Sequence, residues 1–208
     1  PHFNKESIEK IGLFGDSYCM SREVEDNQTI GWHLGELSNK EVRNYGVGGY
    51  GLDQAYLRLK SNLVNSLNSE GLRDIYFIIT PYTIARTVSI YRHYLEPGNV
   101  FAVKPRMTIS AGGDLTIIPS PVQKKSELKS LEKFADYFHK WDPHYKNQAW
   151  LIDDKTDYYA DYWNTEKDLF FSILGALDDL GITYSLNISL ILVCDKRFLT
   201  CYGKTQPP

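Results

Sequence analysis

The hydrophobic positions of the chain form short runs that alternate with segments in which apolar residues recur every three or four positions. Runs at residues 11–14, 42–45 and 74–79 predict β-strands, and the long third run suits a central position in a parallel sheet. Between them, apolar stripes predict one helix over residues 30–37 and another over residues 52–63. This order of strand, helix, strand, helix and strand predicts an α/β sandwich with right-handed crossovers.

The alternation changes after Pro81, where prolines and β-type residues predict a β-hairpin around Ala111-Gly112-Gly113-Asp114. A helix is predicted next, with four apolar residues on one side: Leu128, Leu131, Ala135 and Phe138. A last helix closed by Gly181 and a final strand over residues 182–193 complete the pattern. We therefore predict a single domain over residues 1–208 with an inserted segment over about residues 97–163.

The composition is that of an ordinary globular domain, with 42% hydrophobic and 24% charged residues among 208. The formal net charge of −3 gives no reason to expect nucleic acid or an anionic membrane as a partner, and no membrane span is predicted. Cys19, Cys194 and Cys201 show neither metal-ligand spacing nor a disulfide framework, so the cytoplasm is the default compartment. The chain begins at Pro1 rather than at methionine, which leaves export open.

The first candidate for chemistry is Gly15-Asp16-Ser17, which follows the first predicted strand directly. Ligands and chemistry collect at the carboxyl ends of the strands in open α/β sheets, so the Ser17 hydroxyl is expected at the mouth of the sheet. The alternative is an ordinary polar turn, because glycine, aspartate and serine are common turn residues. A second glycine-rich stretch after the next strand, Asn44-Tyr45-Gly46-Val47-Gly48-Gly49, favours the chemical interpretation.

These two blocks, in this order and at these strand ends, resemble the SGNH/GDSL hydrolases. The run from Gly46 to Ala55 and the later Arg86, Tyr91-Arg92 and Lys104-Pro105 resemble one subgroup of that family, and the likeness covers about the first half of the chain. The resemblance implies a three-layer α/β/α sandwich with a flavodoxin-like parallel sheet of about five strands. It also implies ester hydrolysis by a serine nucleophile.

Carried over by residue, the resemblance makes Ser17 the nucleophile, and Asp16 orders the turn around it. The backbone N–H groups of Ser17 and Gly49 become two oxyanion donors. The chemistry agrees, because attack on an ester creates a tetrahedral oxyanion that preformed N–H donors must stabilise. A glycine N–H is well suited, since the missing Cβ lets a substrate oxygen approach the backbone.

The chain departs from the family at its third block, where an asparagine that precedes an arginine by four residues supplies another oxyanion donor. Tyr82 aligns with that asparagine and Arg86 with the arginine. The hydroxyl of Tyr82 or Thr83 can donate a hydrogen bond with a different geometry, or both residues only cap the strand end. Loss of one such donor costs roughly 10²–10³ in rate.

The fourth block of the family is an Asp-x-x-His pair after the last strand, and nothing similar follows Val193. The tail contains Asp195 but no histidine, so we expect the C-terminal catalytic block to be missing and the chain to be impaired as a hydrolase. Loss of the histidine from such a unit costs up to roughly 10⁶ in turnover. This departure therefore outweighs the change at Tyr82.

Two other histidines are candidate substitutes for the missing base. His139 closes a literal Asp-x-x-His with Asp136, but helical periodicity places it on the apolar side, which favours a packed histidine over a base. His144 follows Asp142 and Pro143 in a predicted loop, where it could swing toward the site although its spacing differs from that of the family.

Two other classes of function are compatible with parts of the sequence. A non-catalytic carbohydrate- or partner-binding module on the same fold would use the aromatic segment that contains Trp141, Trp150 and Trp163. Gly46-x-Gly48-x-x-Gly51 matches a dinucleotide fingerprint, but no acidic residue ends a following strand where the ribose would lie. The expected substrate is a small-molecule or carbohydrate ester, and the chemistry calls for neither a cofactor nor a metal.

Overall fold

A computed structural model describes residues 9–65, 71–90, 103–142, 145 and 158–194. Its main sheet contains β1 (Lys10–Gly15), β2 (Glu41–Asn44), β3 (Leu72–Ile79) and β6 (Asn187–Leu192). These strands are parallel and lie in the order β2-β1-β3-β6. The predicted α/β class is confirmed, and the sheet has four strands within the described residues where about five were expected.

The helices and the hairpin surround this sheet. The α-helices are α1 (Ser17–Met20), α2 (Ile30–Ser38), α3 (Leu52–Asn65), α4 (Pro81–Val88), α5 (Ala135–Trp141) and α6 (Tyr158–Tyr184). The predicted hairpin is confirmed as β4 (Arg106–Ile109) and β5 (Leu115–Ile118), which pair in antiparallel fashion around Gly112 and Gly113. Within the described ranges, none of the helices has the length and apolar content needed to cross a membrane.

Two apolar clusters on opposite faces of the sheet make the structure three-layered. On one face, Phe14 and Phe77 belong to the same buried cluster as Leu59 of α3 and Ile173 of α6. A smaller cluster joins other sheet residues to Cys19 of α1 and to the partly buried Leu34 of α2; its sheet members are Ile11, Leu13 and Ile78. Successive side chains of a strand point to opposite faces of the sheet, so alternate residues of β1 and β3 pack against the helices of opposite layers.

The last helix is longer than predicted. It was expected to close at Gly181, but α6 runs to Tyr184, and Ser185 takes the left-handed conformation with φ of 54°. Gly181 instead allows a close approach, because its carbonyl accepts a hydrogen bond from Leu186 N at 2.9 Å and a Cβ there would lie 3.2 Å from Leu186 O. The final strand consequently starts at Asn187 rather than at residue 182.

The predicted position of His139 on an apolar face is wrong. Residues Lys125–Phe134 form a 3₁₀ segment that is interrupted at Ser130, where φ is −139° and ψ is 47°. The helical periodicity that begins at the start of this segment is therefore interrupted and does not predict which face of α5 a residue occupies. Phe138 is buried, whereas His139 is exposed and meets the Tyr145 ring edge-on at 4.7 Å between centroids.

Replacement of Leu59 by alanine is expected to destabilise the fold, because its side chain is fully buried between the sheet and α6. We expect the free energy of unfolding to fall by about 2–5 kcal/mol in urea denaturation. Leu37→Ala is the matched control, since Leu37 is 87% exposed on α2 and should change that energy by no more than about 0.5 kcal/mol. Equal effects of the two substitutions would contradict the assigned packing.

Candidate active site

Ser17 is the first residue of α1, immediately after a tight turn at the end of β1. Gly15 makes this turn with φ of 153°, and a Cβ there would lie 2.1 Å from Ile78 O. Only glycine avoids that collision between β1 and β3. The Ser17 side chain is half-buried, and no described residue forms a hydrogen bond with its hydroxyl.

The carboxylate of Asp16 organises this turn. Asp16 is the N-cap of α1, and its Oδ1 accepts a hydrogen bond from Tyr18 N at 2.9 Å. Its Oδ2 accepts from Thr80 Oγ1 at 3.1 Å and from Arg86 Nη1 at 3.2 Å. Asp16 is fully buried, and a buried carboxylate requires such partners. The backbone around Ser17 is therefore tied to the end of β3 and to α4.

The glycine-rich loop after β2 packs against the same helix. Asn44 Nδ2 donates to Cys19 O at 2.7 Å, while its Oδ1 accepts from Gly46 N at 2.9 Å. A Cβ at Gly46 would lie 2.5 Å from Met20 N, so the two backbones meet more closely than any side chain allows. These contacts hold the loop beside α1.

This loop approaches Ser17 at Gly48. A Cβ built at Gly48 would lie 3.9 Å from the Ser17 Cβ. Gly49 follows as a buried residue in a turn that Tyr50 N closes on Val47 O at 3.1 Å. Ser17 at the start of α1 and the loop that contains Gly49 are thus neighbours at the carboxyl edge of β1 and β2.

A second buried ion pair fixes the far end of the loop. Lys104 Nζ pairs with Asp53 in the first turn of α3, and it also donates to Thr87 O at 3.0 Å. Thr87 Oγ1 accepts from Leu52 N at 2.9 Å, which joins α3 to α4. Burial raises the pKa of Asp53 and lowers that of Lys104, while their mutual attraction acts in the opposite direction. Buried charges persist in this way only when they are paired.

The other predicted site residues lie in different surroundings. Thr83 is buried, and its Oγ1 accepts from Thr80 N at 3.0 Å at the start of α4. Tyr82 is also on α4, but its side chain lies outside the described part. The exposed His139 ring meets the Tyr145 ring edge-on, and His144 lies outside the described residues. Asp142 is buried and accepts from Ser89 Oγ at 3.1 Å.

Sequence reasoning missed two partners of Asp16. Arg86 was noted only as part of a family pattern, and Thr80 was not singled out. The signal available was the position of both residues after a strand predicted to be central in the sheet. Among the described residues, no group of three or more histidine, cysteine or acidic side chains has an arrangement that could hold a metal ion.

No protein-family model matches the sequence, and neither does any curated protein. Among solved structures, the chain is similar to a mutant of the esterase AlinE4, with a TM-score of 0.33 and 18% sequence identity. The alignment covers 40% of this chain and 46% of that chain, so this chain spans less than half of the esterase's length. Similarity at this level carries no information on activity.

Arg86→Leu is expected to lower the free energy of unfolding by about 3–5 kcal/mol, because it leaves the Asp16 carboxylate buried without its cation. The same substitution at Arg22 is the control. Arg22 pairs with Glu23 at the surface, where both side chains are more than half exposed, and its loss should cost no more than about 1 kcal/mol. Chemical denaturation of both variants measures the difference, and similar losses would argue against a structural role for the Asp16–Arg86 pair.

Cys19 is expected to resist alkylation in the folded protein. Burial, with a further contribution from the Asp16 carboxylate, raises the pKa of its thiol to about 12. Since the thiolate is the nucleophile, about one Cys19 in ten thousand is reactive at pH 8. In a Cys201→Ser variant, iodoacetamide should modify the half-buried Cys194 and leave Cys19 intact until urea is added. Mass spectrometry of the two cysteine peptides measures the extent of modification. Comparable rates at the two cysteines in the native protein would contradict this environment.

Proposed function

We propose that the chain is an SGNH/GDSL-type serine hydrolase that cleaves an ester with Ser17 as the nucleophile. The observation that carries the proposal is the position of Ser17 on a turn fixed by a buried carboxylate, beside a glycine loop at the same edge of the sheet. Parallel α/β sheets place their chemistry at this edge.

In the proposed reaction, Ser17 Oγ attacks the carbonyl carbon of the ester and gives up its proton to a base. The carbonyl oxygen becomes an oxyanion that the N–H groups of Ser17 and Gly49 stabilise. Ser17 N–H suits this role because it is at the first position of α1, where backbone donors lack intrahelical acceptors. Departure of the alcohol, which takes up a proton, leaves an acyl-enzyme that water hydrolyses back to free Ser17 and a carboxylic acid.

Asp16 is a positioning residue in this proposal rather than the base. Both of its carboxylate oxygens accept hydrogen bonds within the protein, from Tyr18 N, Thr80 and Arg86. The Ser17 hydroxyl forms no hydrogen bond with this carboxylate among the described residues, so the side chain positions the turn and does not contact the nucleophile. His144 and His139 are the two histidines to substitute in turn when the base is sought.

The proposed substrate is a small-molecule or carbohydrate ester that carries an acyl or acetyl group. A backbone oxyanion site selects for a carbonyl and does not discriminate among alcohols. Selection of the alcohol therefore falls to side chains around the site.

A non-catalytic binding module is the second candidate function. It is favoured by the Ser17 hydroxyl, which no histidine among the described residues contacts. A serine without a base is a weak nucleophile. The two candidates make opposite predictions for a reagent that reports activated serines.

A fluorophosphonate probe is expected to label the purified chain and to lose this labelling in Ser17→Ala. Ser126→Ala should label like the parent chain, because Ser126 is exposed on the 3₁₀ segment away from β1. Gel fluorescence and mass spectrometry of the modified peptide measure the result. Absence of labelling in a chain that circular dichroism shows to be folded would reject the active hydrolase and favour the binding module.

A further inference from the structure

The outer side of α3 borders a solvent-open cleft of about 370 Å³. Its walls include Tyr45 and Tyr50 from the glycine loop and its entry, Arg58 and Asn62 from α3, and Pro105 beside the hairpin. This volume falls at the lower end of the range for small-molecule sites, roughly 300–1,000 Å³. The cleft is separate from the residues that hold the Asp16 turn.

The cleft follows one stripe of α3. Gln54, Leu57, Arg58 and Asn62 recur at the spacing of a helix face, which makes the stripe about 12 Å long at 1.5 Å per residue. Tyr50 directly follows Gly49 in the chain. The cleft therefore starts at the loop that lies beside Ser17 and extends away from it along the helix.

Two amide side chains of the cleft, Asn62 and Gln54, have nitrogen donors without a partner among the described residues. Asn62 Nδ2 is buried and has no hydrogen-bond partner in the described part of the chain. Buried donors are rarely left in this state, because the lost hydration is not replaced. Gln54 Oε1 accepts from Gly51 N at 3.3 Å, which leaves its amide nitrogen as a further donor. A ligand for this cleft should supply hydrogen-bond acceptors.

The other walls of the cleft are flat surfaces formed by apolar or cationic side chains. Tyr45 stacks on Phe14 with 4.7 Å between ring centroids, and the Arg58 guanidinium lies 5.8 Å from the Tyr45 ring. Arg58 has no ion-pair partner among the described residues, and no carboxylate lines the cleft there. These features disfavour a cationic ligand, and a single arginine is a weak site for a phosphate dianion.

We propose that the α3 cleft binds a pyranose ring of a carbohydrate. One face of such a ring carries C–H groups that can pack on the Tyr50 ring, while its hydroxyl oxygens accept from amide and guanidinium donors. A uronate carboxylate would meet the same donors through Arg58. A plain aromatic ligand would fill the cleft and leave Asn62 without an acceptor. Binding at this cleft does not depend on the proposed hydrolysis at Ser17.

Saturation-transfer NMR with the Ser17→Ala variant tests this site directly. The probes are the methyl β-glycosides of glucose, xylose and glucuronic acid, with benzyl alcohol as the aromatic counterpart. We expect transfer to at least one glycoside and about tenfold weaker binding in Asn62→Leu and in Tyr50→Ala. Lys60→Ala is the control, because Lys60 is exposed on α3 outside the cleft and should leave binding unchanged.

The outcomes separate this proposal from the hydrolase. If a glycoside binds and fluorophosphonate does not label the chain, the carbohydrate site is supported and the hydrolase is rejected. If fluorophosphonate labels the chain and no glycoside binds, the hydrolase is supported and the carbohydrate site is rejected. Binding of benzyl alcohol alone would overturn the carbohydrate assignment. Should Asn62→Leu fail to fold, unchanged binding in both Tyr50→Ala and Arg58→Gln would overturn the location instead.

Discussion

The buried carboxylate of Asp16 is the interaction on which the rest of the site depends. A fully buried charge is tolerated only with partners, and here they come from three places: the backbone of α1, the end of β3 and α4. Because Oδ1 and Oδ2 bind different elements, the side chain fixes the start of α1 relative to the neighbouring strand. The position of Ser17 is thus a consequence of charge burial rather than of the short helix itself.

The glycine loop beside Ser17 is held by a different interaction at each end. Asn44 ties its start to α1 through Cys19 O, and the Asp53–Lys104 pair ties its end to the segment before β4. Neither interaction alone would fix the conformation of the loop, since the glycines between them have wide backbone freedom. The hairpin insertion therefore contributes to the site, because it carries Lys104 into the core beside α3.

Much of this arrangement could be predicted from local pattern. The runs before Gly15 and before Tyr45 place two segments with candidate site residues at strand ends, and the structure brings those segments together. The role of Thr80 and Arg86 could not be derived in this way, because it depends on the register that sets Gly15 opposite Ile78. His139 was misplaced for a related reason, since the break at Ser130 resets the helical phase that the sequence pattern assumes.

The two faces of α3 divide the proposed tasks. Leu52, Ala55, Tyr56, Leu59 and Leu63 form the core face, and the cleft residues occupy the positions between them. Chemistry at Ser17 would use backbone N–H groups held by buried networks, whereas ligand choice would use the partly buried residues of the cleft. Substitutions at Arg58 or Gln54 would therefore leave the core face of α3 intact. A change of ligand in the proposed cleft would then not require a change in the geometry around Ser17.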